Sequence, residues 1–258
     1  MPKKLSSSNS SIEKIKKRRL DQVLSRLGIG SRKAIRKIIR KTTIEVNGKR
    51  ILDTSFPVST EDEIKIDGEI FPISENYFYM LNKPAGVVTA TEDPKDKTVI
   101  DLLEERDKRK NVFPVGRLDK NTEGLILLTT DGKLAHFLMS PRKNIYKTYI
   151  ATVLGKVTES DIQAFSEGIV LDDGYKTLPA ILKIFESGNE SKVEIQIREG
   201  KFHQIKKMFL SLDKKVIYLK RISLYNLNLD PELKLGEYRS LTETEIESLY
   251  NDFLDSKG

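Results

Sequence analysis

Phe113-Pro114-Val115-Gly116-Arg117-Leu118-Asp119-Lys120-Asn121-Thr122-Glu123-Gly124-Leu125-Ile126-Leu127-Leu128-Thr129-Thr130-Asp131-Gly132 is the stretch on which the reading of this 258-residue chain turns. An apolar run ends at Gly116, a charged segment follows, and an almost wholly apolar run resumes at Gly124. Short apolar runs bounded by glycine and by Asp131-Gly132 read as strands. Val112–Val115 and Leu125–Thr129 are therefore predicted strands joined by a tight polar loop. Such a loop holds Arg117 and Asp119 at the edge of a buried sheet, a usual place for catalytic groups. On pattern alone, a structural Arg–Asp pair is the commoner explanation.

Outward from that stretch, Tyr149–Val153, Ala180–Ile184 and Val193–Ile197 read as further strands. Lys133–Met139, Glu159–Glu167 and His203–Leu212 read as helices. The pattern predicts an α+β domain over residues 77–250, a mostly antiparallel mixed sheet with flanking helices. No internal repeat, Walker loop or dinucleotide-binding glycine pattern occurs, so no nucleotide cofactor is implied. The chain has no cysteine, which excludes disulfides, thiolate catalysis and cysteine zinc sites. Its two histidines, His136 and His203, are too few to suggest a transition-metal site, so neither metal nor cofactor is expected. A nucleophile or base must then come from Asp, Glu, Lys, Tyr, Ser or Thr. His136, on an otherwise apolar helix, reads as structural. No run of about 18 apolar residues is present and the N-terminus lacks an apolar signal region, which points to a cytoplasmic protein with no membrane partner.

Charge is unevenly distributed. Residues 1–50 hold 16 Lys and Arg against three acids (Glu13, Asp21 and Glu45), a balance of +13. The remaining residues hold 29 bases against 35 acids, a balance of −6. A basic head on a mildly acidic body favours a polyanion such as nucleic acid, because each neutralised phosphate releases counterions. Residues 1–18 read as a flexible basic tail. Leu20, Val23, Leu24 and Leu27 follow helical spacing, and Gly28 and Gly30 stop that helix. Ser31 is a suitable N-cap for a second helix, Arg32–Lys41. Ala34, Ile35, Ile38 and Ile39 share one face of it, while Arg32, Lys33, Arg36, Lys37, Arg40 and Lys41 fan across the other. Six bases without an acid repel one another unless an anion meets them. Ile44, Val46 and Ile51 around Asn47-Gly48 suggest a hairpin, and Ile64 and Ile66 precede a second turn at Asp67-Gly68. Residues 67–76 read as a linker.

The run from Arg19-Leu20-Asp21 through Gly28-Ile29-Gly30-Ser31-Arg32 to Ile44-Glu45-Val46-Asn47-Gly48-Lys49 resembles the small RNA-binding domain first described in ribosomal small-subunit protein four. It covers about 19–66. The resemblance implies structured RNA gripped by shape and phosphate, with Arg19 and the six bases of the second helix as contacts. In the rest of the chain, Gly116-Arg117-Leu118-Asp119 with Thr122, Gly124-Leu125 and the strand ending in Thr129-Thr130-Asp131-Gly132 resembles the signature of pseudouridine synthases. The resemblance is to the group named for ribosomal small-subunit pseudouridine synthase A. Met80-Leu81-Asn82-Lys83-Pro84-Ala85-Gly86-Val87-Val88 is similar to its first motif, Lys147-Thr148-Tyr149 to its tyrosine motif, and Arg198-Glu199-Gly200-Lys201-Phe202-His203-Gln204-Ile205-Lys206-Lys207-Met208-Phe209 to its last. Four motifs in order span about 80–245.

What the resemblance implies is an isomerase that detaches uracil from ribose, turns it and rejoins it through carbon five, without cofactor. The aspartate serving as nucleophile or base falls on Asp119. A basic neighbour that keeps a carboxylate ionised in a desolvated pocket falls on Lys206, where related families also use arginine. Tyr149 stacks on the base and can shuttle a ribose proton, and Arg117 fills the space of the extruded uridine. His203 is a positioning hydrogen-bonder, and Gln204 and Ile205 belong to the substrate-binding set. Lys83 shapes a loop or faces RNA. The implied substrate is ribosomal RNA, free or within a pre-ribosomal particle, and the enzyme a monomer. Ala90-Thr91-Glu92-Asp93-Pro94 and Thr98-Val99-Ile100-Asp101-Leu102-Leu103 look closer to small-subunit enzymes. The alternatives are the same reaction on large-subunit rRNA and an inactive RNA-binding assembly factor.

Overall fold

Alternation inside the apolar runs sets the architecture. The computed structural model describes residues 17–27, 29–71, 73, 76–140 and 143–255. Residues 1–16 of the expected tail, the helix-stopping Gly28, and Pro72, Ser74 and Glu75 of the expected linker lie outside them. The chain forms two compact units, one up to residue 75 and one from Asn76 onward.

The N-terminal unit runs β1 (Arg18–Arg19), α1 (Leu20–Arg26), α2 (Arg32–Ile38), β2 (Ile44–Val46), β3 (Lys49–Arg50), β4 (Pro57–Val58), β5 (Ile64–Ile66) and β6 (Glu69–Phe71). The Ser31 hydroxyl caps α2 by accepting from the Ala34 amide at 3.2 Å. That helix stops at Ile38 rather than Lys41, because the Lys41 and Thr42 amides both turn back onto the Ile38 carbonyl. Ile39 then enters a core with Leu20, Leu24, Ile35, Ile44 and Ile64. Asn47 and Gly48 both have positive φ (52° and 74°), as a two-residue hairpin turn requires. Asp67 and Gly68 repeat this (50° and 89°). The segment expected as linker therefore begins as strand β6, with Phe71 opposite Ile64. Arg18, expected in the tail, pairs with Val58.

The second unit runs β7 (Phe78–Lys83), α3 (Glu105–Lys108), β8 (Phe113–Pro114), β9 (Glu123–Thr129), α4 (Gly132–Met139), β10 (Lys147–Leu154), α5 (Glu159–Glu167), β11 (Ile181–Glu186), β12 (Glu190–Ile197), α6 (Gln204–Leu210), β13 (Lys215–Leu224), β14 (Leu227–Asn228), β15 (Tyr238–Ser240) and α7 (Glu243–Asp255). Among the described residues they build a nine-stranded sheet ordered β11-β12-β10-β13-β9-β7-β15, with β14 beside β13 and β8 beside β9. Its ladders are antiparallel except β9 with β13, which run parallel at Glu123–Lys220 and Gly124–Arg221. The sheet is thus mixed and mostly antiparallel. Strand β9 is apolar from Leu125 to Leu128 because both its faces are covered there. Leu125 and Leu127 pack with Phe137, Leu249 and Phe253, whereas Ile126 and Leu128 pack with Tyr149, Ile195 and Phe209. The parallel junction at the start of β9 is where the polar loop enters the sheet.

Candidate active site

A glycine and a buried lysine hold the loop that carries Asp119. Gly124 has φ +103°, and a Cβ there would lie 2.1 Å from the Arg221 carbonyl oxygen, so a side chain would push β9 off β13. Lys83, at the end of β7, is 0% exposed. Its ammonium donates to the carbonyls of Pro84 (3.0 Å), Lys120 (3.1 Å) and Thr122 (2.8 Å). On the other side of Asp119, the Thr89 hydroxyl donates to the Leu118 carbonyl (2.9 Å) and accepts from the Leu118 amide (3.1 Å). The backbone is pinned both before and after the aspartate. Of the two expectations for Lys83, loop shaping is the one these three hydrogen bonds describe.

Burial lowers the Lys83 amine to about 8, against the attraction of Asp119 and Glu123. In the unfolded chain it titrates near 10.5. Between these values the unfolded state binds a proton that the folded state does not, so stability rises with pH through that window. Below about 8 the penalty for burying the charge is present in full. The unfolding free energy of the wild type, relative to Lys83→Met, is expected to climb from pH 8 to 10 with a slope approaching about 1.4 kcal/mol per unit. Denaturant titrations of both proteins check this; parallel pH curves contradict it.

The Asp119 carboxylate meets two bases from the segment preceding and opening α6. Lys206 Nζ lies 2.9 Å from Oδ2 and His203 Nε2 lies 3.7 Å from Oδ1. The second distance exceeds a hydrogen bond. His203 stacks instead on Phe202, with ring centroids 3.8 Å apart. The helix expected from His203 starts at Gln204, because His203 is its N-cap with a left-handed φ of 53°. Gln204 is buried and its amide is spent internally: Nε2 donates to Glu199 at 2.8 Å and Oε1 accepts from the Lys201 amide at 2.9 Å. It locks the turn before α6 and also lines the cleft beside Asp119. Successive helical residues diverge by about 100°; Lys206 therefore reaches Asp119, whereas Lys207 pairs with Asp172 at 2.7 Å.

Around this pair lies a cleft lined among others by Arg117, Tyr149, Ile205 and Leu219. Tyr149 comes from β10 and is buried in the wall, as is Ile205. Arg117 is exposed and makes no hydrogen bond or ion pair among the described residues. Asp119, Tyr149, Lys206, Arg117, His203 and Ile205 thus converge on one cleft. His136, expected to be structural, lies on the exposed side of α4. Thr89, Glu199 and Arg221 carry structure here that sequence reasoning had not assigned. Among the described residues no cluster of His, Cys, Asp and Glu could hold a metal ion, and no helix is long and apolar enough to cross a membrane.

In the N-terminal unit Arg32, Lys33, Arg36, Lys37, Arg40 and Lys41 are all exposed. Arg19 differs. It donates to both carboxylate oxygens of Asp21, at 3.1 and 2.9 Å, and this hydrogen bonding lowers the aspartate's pKa. Two of its nitrogens are paired with Asp21, while the side chain stays 49% exposed.

Comparison with known proteins bears on the family. Residues 77–211 match RNA pseudouridylate synthase and residues 18–64 match the S4 domain. An uncharacterized RNA pseudouridine synthase of Bacillus subtilis is 42% identical, covering 90% of this chain and 98% of its own. The chain belongs to the RNA pseudouridylate synthase family. Ribosomal small subunit pseudouridine synthase A of Haemophilus influenzae is 37% identical over 90% of this chain and 99% of its own. Ribosomal large subunit pseudouridine synthase B of Bacillus subtilis is 35% identical over 90% and 95%. A crystal structure of a pseudouridylate synthase superposes with a TM-score of 0.64 at 36% identity, covering 90% of this chain and 99% of that one. This synthase is accordingly an isomerase with an RNA-binding S4 domain, built on the α+β fold its sequence indicated.

Proposed function

We propose that this synthase converts one uridine of small-subunit ribosomal RNA to pseudouridine, with Asp119 as the catalytic carboxylate. The observation that carries this reading is the Asp119–Lys206 pair at 2.9 Å in a cleft walled by Tyr149. In the reaction the N1–C1′ bond breaks, the uracil turns, and a C5–C1′ bond forms; N1 gains a proton and C5 loses one. No oxidant, reductant or cofactor enters the balance. Asp119 acts on the ribose as nucleophile or base, and Lys206 stabilises its charge. Tyr149 offers a flat wall for the uracil. Arg117 occupies the gap left in the RNA when the uridine is turned out. The S4 domain grips rRNA through the exposed bases of α2, and the enzyme works as a cytoplasmic monomer. Similarity to the small-subunit enzyme of Haemophilus influenzae supports the choice of subunit. Similarity to the large-subunit enzyme of Bacillus subtilis favours the second reading, the same chemistry on large-subunit rRNA.

Incubating the purified protein with each rRNA, then mapping by carbodiimide labelling and primer extension, decides. New stops in small-subunit rRNA support the proposal. Stops confined to large-subunit rRNA overturn it in favour of the second reading, and binding without any stop marks an inactive RNA-binding factor. Replacing Arg36 and Lys37 by Ala in the full chain is expected to lower the log–log salt slope of RNA binding by about 0.7–0.9 for each phosphate that is no longer neutralised. An unchanged slope removes α2 from the RNA interface.

A further inference from the structure

Beside the Asp119 cleft opens a second cavity of about 640 Å³ whose charges do not balance. It shares Arg117, Tyr149, Gly200 and Lys201 with the cleft, and adds Lys147, Arg198 and Arg221. Five cations face one carboxylate, Glu199. That carboxylate is already used: it accepts from the Tyr175 hydroxyl (2.6 Å), the Leu178 amide (2.9 Å) and Gln204 (2.8 Å).

The deepest cations lack counter-ions. Lys147, on β10, is 7% exposed, and its ammonium makes no hydrogen bond or ion pair among the described residues. Arg221, on β13, is 1% exposed. Its Nε donates to the Leu125 carbonyl at 2.8 Å, while its Nη2 is buried without a partner. Arg198 Nε is likewise buried and unpartnered. Tying β9 to β13 accounts for Arg221 Nε, but leaves the rest of its fork and the Lys147 ammonium unexplained. Buried charges are otherwise paired, because leaving one alone costs several kcal/mol. Burial and the neighbouring Arg221 push the Lys147 amine down to about 8, the direction expected of a cation waiting for an anion.

We propose that Lys147 and Arg221 form an anion site that takes a backbone phosphate of the RNA, a phosphodiester flanking the target uridine. A uridine drawn into the Asp119 cleft brings its own backbone with it, and this cavity adjoins that cleft. Arginine suits the ligand because its planar fork matches two phosphate oxygens, and lysine adds a point charge. The inference rests on RNA being the substrate. The same chemistry would also hold free inorganic phosphate, so the test separates the two.

Lys147→Met keeps length and volume while removing the charge. Binding and conversion of rRNA are measured for wild type and variant with inorganic phosphate added at constant ionic strength. Phosphate is expected to raise the wild-type KM in competition with RNA. The variant should show a KM about tenfold higher, the cost of one charged hydrogen bond, no response to phosphate, and a kcat within a few-fold. A variant with wild-type KM and phosphate response overturns the site. So does a kcat loss at unchanged KM, which would reduce Lys147 to a support for Tyr149. Thermal unfolding reports independently: phosphate should raise the wild-type Tm and leave that of Lys147→Met unmoved. Protection by phosphate without competition against RNA would assign the site to the free ion and overturn the RNA reading. If the wild type converts no rRNA uridine, the functional reading fails, while phosphate competition in RNA binding still decides the anion site.

Discussion

Asp119→Asn is expected to abolish turnover while leaving RNA affinity within a few-fold. Asparagine keeps the volume, and its amide oxygen still accepts from Lys206 Nζ, now 2.9 Å from Oδ2. The loop geometry survives as well, because it depends on Lys83 and Thr89 rather than on the carboxylate. What disappears is the charge, and with it both nucleophilicity and basicity toward the ribose. Loss of a general base costs about 10²–10⁴-fold in kcat and loss of a nucleophile more. Single-turnover conversion of rRNA, beside a filter-binding titration, measures both quantities. A variant that keeps a tenth of wild-type activity refutes the role assigned to Asp119.

Lys206→Met should lower kcat by about 10²–10³, the scale seen when one preorganised electrostatic partner is removed from a reacting centre. The methionine fills the aliphatic stem of the lysine and leaves Asp119 with His203 Nε2 at 3.7 Å, too far for a hydrogen bond. Lys206→Arg should recover most activity, since the charge is retained and α6 still aims the side chain at the loop. A purely phosphate-binding Lys206 gives the opposite pattern: weaker RNA binding, a salt slope lower by about one, and unchanged kcat. Its neighbour Lys207, paired with Asp172, serves as the control. Lys207→Met should leave kcat at the wild-type level.

Elements with a strong local signal formed where the sequence placed them. Ser31 caps α2, Asn47-Gly48 makes its hairpin, and Glu159–Glu167 is a helix over the predicted span. Strands β7 and β13 and helix α7 were not read from the sequence. Lys215–Leu224 mixes Lys215, Lys220 and Arg221 with apolar residues, so its alternation is weak, and its place beside β9 depends on a parallel pairing made far along the chain. Helix boundaries moved where a local backbone choice intervened. His203 in the left-handed region delays α6, and the turn onto the Ile38 carbonyl shortens α2.

For the site, the sequence by itself determined which residue types were available and which short segments carried them. With no cysteine and two histidines, composition left Asp, Glu, Lys, Tyr, Ser and Thr as candidate nucleophiles or bases, and the resemblance of the motifs to pseudouridine synthases singled out Asp119 and Lys206. Only the tertiary structure decided which charges are spent and which are free. Arg19 is occupied by Asp21, two residues away, yet Lys83 is occupied by carbonyls of a loop on another strand. Lys147 and Arg221 come from neighbouring strands and share a cavity with one carboxylate, itself already bonded. The physical reason is that a charge acts through distance and burial. For Lys83, Lys147 and Arg221 both are set by chain segments remote in sequence, and no local pattern records them.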